Sequence, residues 1–142
     1  MSWDPAQYLK YANERLRPAL DLLARLPIEA PQTVVDLGCG TGNVAQILAA
    51  RWPHARIVGV DHSTAMLAVA IAATEGATQH EWIEADLGDW APEDPVAVVF
   101  SNAAVWVSRA QVDGRCETPR LAVANFGYNA GGWRIDRHPR LL

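Results

Sequence analysis

The sequence predicts an α/β protein built on a parallel sheet. Two observations predict it. Short apolar, β-branched runs recur along the chain ("TVVDL", "RIVGV", "HEWIEA", "VAVVF"), and helical stretches separate the first three. Alternation of this kind implies parallel strands joined by crossovers. A turn with three alternate glycines, "GCGTG", also follows the first run directly and leads into a helical stretch. The 142 residues suit one domain.

Each element has its own local reason. Asp4 followed by Pro5 reads as a cap and first-turn proline. Leu16, Leu20 and Leu23 share a helical face, with Ala19 and Leu26 adjoining it. Pro18 is expected to divide this region into two helices. Pro27 and Pro31 mark a loop, and Thr33 to Leu37 reads as a buried strand. In "NVAQILAARW", Val44, Ile47, Leu48 and Trp52 suit a helix packed on a sheet, and Pro53 stops it. Arg56 to Val60 is the second strand. Ser63 can cap the helix "TAMLAVAIAAT", whose end Gly76 follows. "HEWIEA" is the third strand, "PEDP" a loop, and Val96 to Phe100 the fourth strand.

Composition narrows the function classes. The net charge of −4 argues against nucleic acid or an anionic membrane surface as partner. No apolar run approaches the roughly 18 residues of a membrane span. The first residues lack the apolar core of a secretory signal, so a cytoplasmic protein is expected. Cys39 and Cys116 stand in dissimilar contexts, and no disulfide is expected. The four histidines, His54, His62, His80 and His138, are scattered, and none has ligand spacing from a cysteine, so no metal site is expected.

In parallel sheets ligands bind beyond the carboxyl ends of the strands. That rule selects Asp36 to Gly42, Asp61 to Ser63, Ala85 to Leu87, and Ser101 to Ala104; the first three carry an acid. Gly38, Gly40 and Gly42 allow a tight turn and close approach of a ligand to the backbone. A dinucleotide fits poorly, because its fingerprint has a two-residue gap before the last glycine and "GCGTG" does not. The Lys–Ser/Thr pair of a phosphate-cradling loop is also missing. Asp36, two residues before the first glycine, would repel a pyrophosphate but suits a cationic group. S-adenosyl-L-methionine has an ammonium, a sulfonium, a ribose diol and an adenine, and no phosphate.

"VVDLGCGTGN", "VGVDHSTAML" and "EADLGDW" together resemble the class I S-adenosylmethionine-dependent methyltransferases, over about Thr33 to Val107. The resemblance implies a Rossmann-like sheet, mostly parallel with helices on both faces and here incomplete in its C-terminal half. It implies that Asp36, Gly38, Gly40 and Gly42 line the methionine end. Asp61, followed by His62, would accept from the ribose hydroxyls; Asp86 and the Leu87 N–H would meet the adenine; Ser101 and Asn102 would lie near the methyl group and substrate. "WDPAQYLKYANERLRPALDLLARL" and "VFSNAAVWV" are similar to the trans-aconitate 2-methyltransferase family. That narrower resemblance implies a lid carrying Tyr8, Tyr11 and Arg15, with Arg15 and Arg17 as cations for the acceptor. The implied reaction is methyl transfer to a carboxylate of a small organic acid such as trans-aconitate, giving a methyl ester. A carboxylate nucleophile needs no general base, and no side chain is assigned a catalytic role. A cofactor-binding fragment without activity, a different small-molecule acceptor, and a nicotinamide-binding module are the alternatives.

The chain changes character after about Val107. Residues 1–108 hold 6 basic and 13 acidic residues, and residues 109–142 hold 6 and 3. Residues 1–107 are therefore read as lid helices plus the cofactor-binding half, and 108–142 as a divergent or disordered tail. A truncation or shifted reading frame after about Val107 is expected, with "RLAVANFGY" a weak strand candidate. The fourth strand would then be an exposed apolar edge favouring self-association.

Overall fold

The computed structural model describes residues 16–101, apart from 88, 91 and 95, together with 120–123. Among the described residues, three helices and five strands follow in the order α1 (Arg17–Ala24), β1 (Thr33–Leu37), α2 (Asn43–Arg51), β2 (Arg56–Asp61), α3 (Thr64–Ala73), β3 (His80–Glu84), β4 (Val98–Ser101) and β5 (Arg120–Val123). The strands form one sheet in the order β3-β2-β1-β4-β5, and every pairing is parallel. The expected parallel α/β architecture is present. β1 is central, with β2 on one side and β4 on the other, so the chain reverses its direction of travel across the sheet at β1.

Strand alternation separates two apolar layers. Val34, Ile57, Val98 and Phe100 face α1 and α2, where Leu20, Leu23, Ala45 and Leu48 complete the main core. Ala70 of α3 approaches Gly42 on this same side. Val35, Leu37, Val58, Val60 and Val99 point the other way. Among the described residues that second layer is met by Val96 and by Ile83, Ala85, Leu87 and Trp90, not by a helix. A groove of about 550 Å³ opens there, between Val35, Val58, Ile83 and Trp90.

Pro18 stands in the first turn of α1, where a missing N–H leaves no helical bond unmade. Whether a second helix precedes it, as expected, lies outside the described residues. One expectation changes: the exposed fourth strand is overturned, and with it the route to self-association through that edge. Arg120–Val123, inside the stretch read as a weak strand, pairs with β4 from Val98↔Arg120 to Ser101↔Val123. The backbone groups of β4 are thereby shared between β1 and β5, and among the described strands the sheet edges are β3 and β5.

Candidate functional site

The carboxyl ends of β1 and β2 meet at the glycine turn. Gly38, Gly40 and Gly42 have φ of 79°, 54° and 83°, a region that disfavours residues with a Cβ. The turn folds back over β2: the Gly38 and Cys39 N–H groups both donate to the Val60 carbonyl, at 2.8 and 3.0 Å. Gly42 is the N-cap of α2 and accepts from the Gln46 N–H at 3.0 Å. A Cβ on Gly42 would stand 2.8 Å from the Trp82 ring and 3.0 Å from the Ala70 Cβ, whereas one on Gly40 would meet nothing within 4 Å. Gly42 is thus bare for packing as well as turn geometry, and Gly40 borders open space.

Asp61 ties the turn to β2. Its Oδ2 accepts the Gly40 N–H at 2.9 Å and its Oδ1 accepts the Ser63 N–H at 2.8 Å. The side chain is nearly buried, yet each carboxylate oxygen has a second lone pair for a further donor. His62 is exposed, with Nδ1 3.6 Å from Asp61 Oδ1. Asp36 is 1 % exposed, and its Oδ2 is buried with no hydrogen-bond partner. Burial first, and the Asp61 charge second, push its carboxyl up to about 7. Burial, with Asp36 and Asp61 adding to it, pushes the Cys39 thiol up to about 12, so it stays neutral.

The other expected residues divide. Asp86 is exposed just beyond β3, and its carbonyl accepts the Asp89 and Trp90 N–H groups. Leu87 turns its side chain into the second apolar layer. Ser101 is fully buried and its hydroxyl donates to the Leu37 carbonyl at 2.9 Å. That hydroxyl pins the end of β4 to the end of β1. Arg17 is exposed in the first turn of α1. Tyr8, Tyr11, Arg15 and Asn102 lie outside the described residues. No group of three or more metal-ligating side chains is found among the described residues, and no described helix is long and apolar enough to cross a membrane.

Sequence reasoning missed Gly59 and Trp82. They face each other in the β2–β3 register, and a Cβ on Gly59 would fall 2.4 Å from the Trp82 ring. The indole lies over that vacancy and under Gly42, held by its N–H to the Thr74 hydroxyl at 3.1 Å and stacked on His80. A single glycine inside an apolar strand, as in "RIVGV", was the available signal of close approach.

Chemically, the cluster offers open-sided backbone at Gly40, two buried acids at adjacent strand ends, and an unpaired carboxyl oxygen. It can receive a small polar ligand with donors and a positive charge.

The family described as a methyltransferase domain matches residues 34–117, more than half of the chain. Trans-aconitate 2-methyltransferase of Azoarcus sp. (strain BH72) is 54% identical over 102 residues, covering 72% of this chain and 39% of that protein. The protein of the same name from Escherichia coli O7:K1 is 47% identical over 103 residues, 72% of this chain and 40% of the other. This chain therefore spans about two fifths of the length of these relatives. Among solved structures, an S-adenosylmethionine dependent methyltransferase from Mesorhizobium loti is 32% identical with TM-score 0.54, covering 66% of this chain and 41% of its own. Phosphoethanolamine N-methyltransferase 2 of Haemonchus contortus, bound to S-adenosylhomocysteine, is 31% identical with TM-score 0.52, covering 58% and 20%.

Proposed function

Because the chain belongs to the methyltransferase domain family, we propose that it binds S-adenosyl-L-methionine across the ends of β1 to β3 and serves methyl transfer to a carboxylate of a small organic acid such as trans-aconitate. The observation that carries this reading is the pairing of two buried acids, Asp36 and Asp61, with a glycine turn whose Gly40 side is open. The residues present fit the cofactor. Asp36 Oδ2 lacks a donor, and an ammonium group supplies one. Asp61 has acceptor capacity left after its two backbone bonds, which suits a ribose diol. Asp86, exposed beyond β3, and the Leu87 backbone would meet the adenine. A pyrophosphate would meet two carboxylates here, which disfavours a dinucleotide.

When bound, the cofactor supplies a methyl group on a sulfonium, with a neutral thioether as leaving group. The chain's own residues hold and align; proximity and orientation are the main catalytic contributions asked of them. A carboxylate acceptor arrives already ionised at neutral pH, so no residue has to remove a proton from it. The acceptor is taken from the names of the relatives.

Binding and turnover are tested separately. Calorimetry with S-adenosylhomocysteine and with NAD should give heat only for the first; the reverse pattern would overturn the reading. Radiolabelled methyl transfer to trans-aconitate tests the acceptor. A second reading, cofactor binding without turnover, is favoured by the chain's span of about two fifths of its relatives. Intact binding with no label transferred would select it.

A further inference from the structure

Asp36 Oδ2 is buried and unpaired at the centre of the strand-end cluster, a costly position for an acceptor and costlier still for a charge. The described groups around it offer no compensation. On β2, Gly59 is its register partner, and the Asp61 carboxylate near the same strand's end adds repulsion. His62 follows Asp61 but is exposed. On β4 its partner is Phe100. The turn contributes the neutral Cys39 thiol. On α2, residues Asn43 to Ala50 carry no charge, and Arg51 at the far end bonds the Leu26 carbonyl. On α1, Arg17 and Asp21 are exposed. Asp61, by contrast, has both carboxylate oxygens held by backbone N–H groups. The two acids are therefore in different states of satisfaction, and of the two only Asp36 has a buried oxygen without a donor.

We propose that Asp36 is a proton-exchange site: it holds a proton in the free protein and releases it when the cationic amino-acid end of an S-adenosyl ligand arrives, which couples binding to the loss of one proton. This rests on the cofactor reading above. The Asp36 O–H bond breaks, the proton leaves to water, and the carboxylate accepts a hydrogen bond from the ligand's ammonium. The ligand keeps its own protons. The raised carboxyl, at about 7, sets the range. Below it, affinity should fall about tenfold per pH unit; above it, affinity should be flat.

Calorimetry on the full chain with S-adenosylhomocysteine tests this. Titrations at about pH 5.5 and about pH 8.5, each in two buffers of different ionisation enthalpy, count the protons released. Release of close to one proton at the lower pH and close to none at the higher supports the proposal. Asp36→Asn keeps the shape of the protonated side chain, and should bind with flat pH dependence and no release. Release by Asp36→Asn equal to the wild type would assign the proton to another group and overturn the proposal. So would wild-type binding at the lower pH without release, a result that needs no variant. Absence of binding at every pH would instead overturn the cofactor reading itself.

Discussion

Gly40 and Gly42 stand two residues apart and share a positive φ, yet their surroundings ask different things of them. At Gly40 a methyl group would meet nothing, so Gly40→Ala should cost only the left-handed strain, about 1–2 kcal/mol. At Gly42 the same strain is joined by a clash with Trp82 and Ala70, for a total of roughly 2–5 kcal/mol. Denaturant unfolding of the two variants should give that order. Ligand affinity should rank them the other way, because the open side at Gly40 is where a ligand approaches; calorimetry with S-adenosylhomocysteine reads it. Asp61→Ala should weaken the same affinity by roughly 1–3 kcal/mol, the scale of lost charged hydrogen bonds. An unchanged dissociation constant would place the ribose away from Asp61. The glycines and both acids were readable because unusual backbone and strand-end charge leave a local trace in "VVDLGCGTGN". The task of Ser101 was not, since its bond to Leu37 crosses 64 positions of sequence.

Among the elements, α3 shows best what pattern can and cannot reveal. Thr64–Ala73 contains no charge, and of its large apolar residues only Leu67 is buried, with Met66, Val69 and Ile71 exposed. A helix apolar on every side gives periodicity nothing to grip. Its start was nonetheless evident from Ser63, whose hydroxyl accepts the Met66 N–H at 3.3 Å. Ser63→Ala should therefore cost about 1 kcal/mol of stability, and Ser63→Gly only a few tenths. Thermal unfolding of the pair decides this, and equal losses would mean the hydroxyl is not what starts the helix. β5 is the converse case. "RLAV" is too short to declare itself, and it becomes a strand through parallel pairing with β4, a contact no local window contains. Gly59 lies between these cases: it is visible as an odd residue in a strand, but Trp82, which requires it, is 23 positions further on.

At the scale of the whole molecule, two titratable groups on the same face of the sheet, the buried Asp36 and the half-buried His80, pull stability in opposite directions as pH changes. Asp36 has its carboxyl raised from 3.8 to about 7, so the folded state holds its proton more tightly than the unfolded chain. Its contribution is fully present below about pH 4 and is lost as pH rises through about 7. His80 stacks on Trp82 with both ring nitrogens buried; burial lowers its pKa, and the Ala45 backbone offsets part of that. The folded state then favours the neutral ring. That contribution is present above about pH 6.5, the ordinary histidine value, and is lost as pH falls toward the lowered one. In the wild type the two slopes oppose each other in mildly acidic solution. Asp36→Asn removes one of them. The variant should match the wild type near pH 4, where the wild-type carboxyl is also neutral, and exceed it at about pH 8 by on the order of 2–4 kcal/mol. Chemical denaturation at the two pH values checks both parts. A variant equal to the wild type at the higher pH would mean that Asp36 is ionised and compensated there, and a loss at the lower pH would mean that the amide does not fit where the carboxyl does.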